Sequence, residues 1–128
     1  MTYAKPKPTL DQQRAKYAWE CAAKRSLPSG YETLAKGAAA LIMGSGLMAA
    51  LAYWNSRSSS NKECCASLVA DILGWLKQRG IVKSAEFRGA MDEFAGLDSR
   101  KYMLATEEAL AMLKWLRQFA DAVTSKES

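Results

Sequence analysis

Apolar residues recur at helical spacing along most of this chain, and the pattern is densest between Asp98 and Val123. At about 100° per residue, Tyr102, Ala105, Ala109, Leu113, Leu116, Ala120 and Val123 form one stripe of a long helix. Leu104, Ala111, Trp115 and Ala122 form a second stripe on the far side, leaving a narrow polar arc of Glu107, Lys114, Gln118 and Asp121. A helix in a small domain needs one stripe to dock on its own core, so a second containing a Trp predicts another surface against it.

The rest of the chain divides at its turn and cap signals. Pro6 and Pro8 keep Met1 to Pro8 out of a helix, so residues 1–8 are expected to be a loose basic arm. Thr9-Leu10-Asp11-Gln12 fits a capping box and predicts a first helix from Leu10 to Arg25. Leu27-Pro28-Ser29-Gly30 reads as a turn, and Ser29 to Glu32 repeats the capping pattern before a second helix to Met43. Gly44-Ser45-Gly46 interrupts it, and helical spacing resumes over Leu47 to Trp54. Ser56 to Lys62 reads as a loop, Lys62 to Arg79 as a helix stopped by Gly80, and Ser84 to Gly96 as a shorter one. Asp98 is placed to cap the last helix. β-branched residues are few, so the expected class is all-α: one bundle of about six helices over residues 9–123, with 124–128 fraying.

Composition narrows the function. A chain of 128 residues supports a single core, and its net charge of +5 favours an anionic partner, nucleic acid or an acidic membrane surface. Gly37 to Trp54 carries no charge and just reaches the length of a membrane span, about 18 residues, but its alanines and the Gly-Ser-Gly break argue against insertion. Gly44-x-Gly46-x-x-Ala49 loosely matches a dinucleotide fingerprint, yet no strand precedes it, so no cofactor is expected. There is no histidine, and Asp92-Glu93 and Glu107-Glu108 are adjacent on helices, where side chains diverge by about 100°. No catalytic residue is assigned and no small-molecule substrate is expected. The three cysteines form no pair of CxxC knuckles, so no metal site is expected; Cys64 and Cys65 share an apolar arc with Leu68, Ile72 and Trp75. No secretory leader is visible, which predicts reduced thiols and a cytoplasmic location.

Several basic residues stand out by position. Arg14 and Arg25, eleven residues or about three turns apart, share an azimuth amid Leu10, Ala18, Cys21 and Ala22. Each serves either as a structural ion-pair partner or as a contact in a binding groove. Arg57 and Lys62 flank a run of serines that suits phosphate oxygens but equally suits a plain linker. Lys101 and Arg117 lie off the polar arc of the last helix, among its apolar stripes.

The last helix also carries a sequence likeness, in the order Tyr102-x-x-Ala105-Thr106-x-Glu108-Ala109-Leu110-x-x-Leu113-x-Trp115-Leu116-x-x-Phe119-Ala120. Gln13-Arg14-Ala15-x-Tyr17-Ala18 and Leu41-Ile42-x-x-x-Gly46-Leu47-x-x-Ala50-Leu51-Ala52-Tyr53 extend it. Together these resemble the small subunit of the type III-B CRISPR effector, the Cmr complex. The resemblance implies a non-catalytic helical bundle that stacks with further copies of itself beside other Cmr subunits, along a duplex of crRNA and target RNA. With a basic surface expected to face target RNA, the RNA-contacting candidates are Arg14, which falls in a matching segment, and Arg25, Arg57, Lys62, Lys101 and Arg117, chosen by their positions above; Leu104, Trp115 and Phe119 of the last helix are the protein-interface candidates. The rival expectations are a helical protein adaptor and a DNA-binding regulator. The regulator would need a recognition helix rich in polar side chains at its first turns, which no segment supplies.

Overall fold

The computed structural model describes residues 6–57 and 63–125, and among these the chain is all-α. Six helices follow in order: α1 (Leu10–Ala23), α2 (Tyr31–Ser45), α3 (Leu47–Arg57), α4 (Glu63–Gln78), α5 (Phe87–Gly96) and α6 (Ser99–Ser125). The loose arm expected over Met1 to Ala4 and Lys5, the serines Ser58, Ser59 and Ser60 of the loop, Lys62, and the tail beyond Ser125 lie outside the described residues.

The spine is α6, which packs against α1, α2 and α4, while α3 rests chiefly on α4 and α5 lies against both α3 and α4. Asp11 meets Trp115 and Trp19 meets Phe119, so α1 runs beside the second half of α6 in the same direction. Lys36 pairs with Asp121 and Met48, at the start of α3, with Tyr102, so α2 runs back along α6 in the opposite direction and hands the chain to α3 near the N-terminal end of α6. The small side chains of Ala18, Ala22, Ala35, Ala38, Ala105, Ala109 and Ala120 are all buried, which lets the backbones approach closely. Trp54, Trp75, Leu68, Ile72, Leu73, Met112 and Leu116 fill the space between them. Full burial of each such side chain contributes roughly 1.5–3 kcal/mol.

Local chemistry sets the ends. The capping box at Thr9 forms: the Gln12 N–H donates to Thr9 Oγ1 at 3.1 Å, and the Thr9 N–H to Gln12 Oε1 at 2.7 Å. Asp98 Oδ1 accepts from the Lys101 N–H at 2.9 Å and caps α6. The second capping pattern does not form. Gly30, at φ 86°, is the N-cap of α2 and no side chain bonds there. Its left-handed backbone turns the chain so that Tyr31, the first residue of α2, is fully buried. The interruption expected over Gly44 to Gly46 narrows to Gly46 alone, whose φ of 92° ends α2 at Ser45 and starts α3 at Leu47. α1 stops at Ala23 instead of Arg25, because Arg25 leaves the helix to reach α4. No described helix is long and apolar enough to cross a membrane.

Candidate nucleic-acid and protein interfaces

The second stripe of α6 has its partner within the chain. α1 lies against it: the Trp115 indole N–H donates to Asp11 Oδ1 at 3.1 Å, Trp115 stacks on Phe119 with ring centroids 5.7 Å apart, and Trp19 meets Phe119 edge-on at 5.2 Å. Trp115 and Phe119 are therefore half-buried, while Trp19 remains 43% exposed at the rim of this aromatic row. The indole bond holds the Asp11 carboxyl below its ordinary range. Towards the N-terminal end of α6 the stripe is uncovered, with Met103 62% and Leu104 41% exposed.

Between α1 and α6 sits a buried carboxylate, Glu108, which is only 3% exposed. Arg14 grips it with two bonds, Nε to Oε1 at 3.1 Å and Nη2 to Oε2 at 2.6 Å. The Trp75 indole N–H adds a third donor from α4 at 3.2 Å. Burial works against the charged form of Glu108, but the Arg14 bonds outweigh it and hold the carboxyl below its ordinary value. The same bond raises the Arg14 pKa. Arg79 approaches the same oxygen, with Nε 3.5 Å from Oε1, yet this buried Nε makes no hydrogen bond.

A second buried carboxylate, Asp71 on α4, receives Arg25 and the Tyr31 hydroxyl, and its backbone carbonyl accepts from the Tyr17 hydroxyl at 2.6 Å. The Arg25 guanidinium also lies over the Tyr31 ring, 5.5 Å from its centroid. Burial, and next to it the Asp71 charge, push the Tyr31 hydroxyl well above its ordinary range, and burial above all does the same to Tyr17. The same two causes raise the nearby Cys21 thiol to about 12. A thiol so protonated at neutral pH is a poor nucleophile. Cys21 and Cys64 are free thiols, and Cys65 is buried.

The basic candidates thus separate into two groups. Arg14 and Arg25 take the ion-pair role of the two open to them, each neutralising a carboxylate of another helix. Arg57, Lys101 and Arg117 are exposed and form no ion pair among the described residues. Arg57 lies over the Tyr53 ring at 5.3 Å, beside a groove of about 740 Å³ between α2, α3 and the start of α4. Lys101 and Leu104 border a different cleft, at the junction of α4 and α6. Arg117 lies sixteen residues beyond Lys101, or about 24 Å along α6. The fold does not gather these three cations into one patch. Lys62 lies outside the described residues.

Glu108, Asp71, Trp75 and Arg79 were not among the sequence candidates, although a signal for two of them exists. Asp71 falls within the apolar arc of Leu68, Ile72 and Trp75, and Glu108 within that of Leu104, Ala111 and Trp115. A carboxylate amid an apolar arc marks a buried ion pair.

The described residues form an all-helical bundle of six helices whose first helix is clasped to its last by the Arg14–Glu108 pair, with exposed cations outside. The family model for CRISPR-associated protein (Cas_Cmr5) matches residues 10–123, and the chain belongs to that family, the small subunit of type III-B Cmr complexes.

Proposed function

We propose that this chain is a non-catalytic, cytoplasmic subunit whose copies stack along the crRNA–target RNA duplex of a Cmr complex and touch the target strand through outward cations in antiviral defence. The observation that carries this reading is the family match over residues 10–123, joined to a surface on which Arg57, Lys101 and Arg117 are exposed without ion-pair partners among the described residues. Arg14 and Arg25 support the reading from behind, by holding α1 and α4 in place. The uncovered end of the α6 stripe, Met103 and Leu104, is the surface best suited to a neighbouring subunit, with Trp115 and Phe119 contributing through their exposed rims.

The test is the affinity of an assembled complex for target RNA across a salt series, with Arg57→Ala, Lys101→Ala or Arg117→Ala in this subunit. Each substitution should make the salt slope shallower by about one unit, because each phosphate contact releases roughly one counterion. Sequence preference should not change. If none of the three alters the slope while Lys16→Ala or Lys24→Ala does, the RNA meets the opposite face of α1. If assembly fails but RNA affinity is unaltered, the chain is a protein adaptor.

A further inference from the structure

At the junction of α4 and α6 lies a cleft of about 400 Å³ bordered by Arg79, Ile81, Lys83, Leu97, Lys101 and Leu104. Its charges are one-sided. The one acid at its wall, Glu93, is tied up by two backbone donors, the N–H of Lys83 at 2.8 Å and that of Ser84 at 2.9 Å. The side chains of Lys83 and Lys101 form no ion pair among the described residues, and Arg79 has only its long approach to Glu108, whose oxygens are already taken by Arg14 and Trp75. The buried Arg79 Nε faces Glu108, so what Arg79 offers the cleft is the part-exposed remainder of its guanidinium. Lys101 also sits in the first turn of α6, where a cation opposes the helix dipole. Asp98 already takes up the Lys101 amide, so the unspent donors here are side chains and not the helix end.

We infer that this cleft is a phosphate site, in which Arg79, Lys83 and Lys101 surround one phosphate group and Ile81, Leu97 and Leu104 line its apolar side. Three cationic side chains suit a group with several charged oxygens better than a lone carboxylate, which a single arginine can saturate. A volume of about 400 Å³ accommodates a nucleotide-sized ligand. The phosphate has two chemical sources, the backbone of an RNA strand or the end of a free mononucleotide. Only the strand source rests on the function proposed above.

Nuclear magnetic resonance of the full chain, with labelled amides, tests this directly. Inorganic phosphate, titrated against chloride at matched ionic strength, should move the amides of Ile81 to Ser84 and Lys101 to Leu104 saturably. The double variant Lys83→Gln with Lys101→Gln, checked for an unchanged melt, should bind about tenfold more weakly, the worth of one lost charge-assisted hydrogen bond. Amides that stay still, shifts spread over the whole surface, or a double variant that binds like the parent would overturn the site. Uridine 5′-monophosphate and an oligouridylate without terminal phosphate identify the source: whichever moves the same amides at lower concentration is the ligand class. If phosphate fills the cleft and the oligouridylate binds nowhere, the site stands while the strand reading fails. If the oligouridylate moves only amides near Arg57 and Arg117, and phosphate leaves the cleft still, the site fails while the strand reading stands.

Discussion

Glu108, on α6, is a buried carboxylate on which side chains of two other helices converge. Its oxygens receive Arg14 from α1 and Trp75 from α4, so three helices depend on one carboxylate. Replacing it with Ala leaves Arg14 without its main buried partner, and breaking such a pair costs roughly 3–5 kcal/mol. Thermal melts of Glu108→Ala should show that loss, with Arg14→Ala close behind. The pair also makes stability depend on pH. The Glu108 carboxyl titrates lower in the folded chain than its ordinary value near 4.5, so the clasp contributes fully above that value and is lost as pH falls through the lower folded one. Glu108→Gln should remove that acid-side dependence; a parent chain whose stability falls no faster than the variant's between pH 5 and 3, roughly the carboxylate range, would contradict it.

At the scale of elements, one close approach decides how α1 seats on α4. Gly74 faces Tyr17, and a Cβ at that position would collide with the phenol hydroxyl. Tyr17 is held there by its bond to the Asp71 carbonyl and by Trp75, whose ring centroid is 5.3 Å from its own. Gly74→Ala would ordinarily favour a helix by about 0.5–1 kcal/mol. Here it should instead destabilise by roughly 1–3 kcal/mol, as overpacking does. Adding Tyr17→Phe, which removes the colliding oxygen, should recover part of the loss, and a chemical denaturation series on the two variants separates the effects. Thr9→Ala should cost about 1 kcal/mol through the lost cap of α1.

Helix identity and most boundaries were legible in sequence, because caps at Thr9 and Asp98 and the stop at Gly80 act through neighbouring atoms. Tertiary demands were not. The Ser29 pattern lost to Gly30 because Tyr31 had to be buried, and α1 shortened because Arg25 was needed at Asp71. The second stripe of α6 was visible, but periodicity does not say whether α1 or another molecule covers it. The structure sets α1 against its middle, at Trp115, and leaves Leu104 and Ala122 at its two ends exposed. For the same reason Lys101 was recognised singly, while the cleft it shares with Arg79 and Lys83 brings together residues that sequence leaves some twenty positions apart.

For the molecule as a whole, the expectation is a bundle stable by its own core. Trp54, Trp75 and the leucines around them are fully buried in one apolar core. A calorimetric melt should therefore be the same with and without a chelator, and a strong shift would show that a metal contributes to folding. Substitutions at the uncovered end of α6 should behave differently from those in the aromatic row. Leu104→Lys should leave the melt unchanged and weaken association with neighbours, since exposed positions contribute little to a monomer core. Trp115→Ala should lower the melting temperature as well, because it removes the bond to Asp11 and the stack on Phe119.

The clasp between the first and last helices has a consequence in the order of synthesis. Arg14 and Glu108 are 94 residues apart, and Asp11 and Trp115 are 104 apart. α1 leaves the ribosome first, yet the surface it docks on is made last. Until α6 emerges, Arg14 lacks its carboxylate, and Trp19 lacks Phe119. Docking of α1 must wait for α6, and contacts so distant in sequence form slowly. A nascent chain stalled before α6 should be digested by protease along its whole length, including α1, whereas the completed chain should become resistant as a single unit.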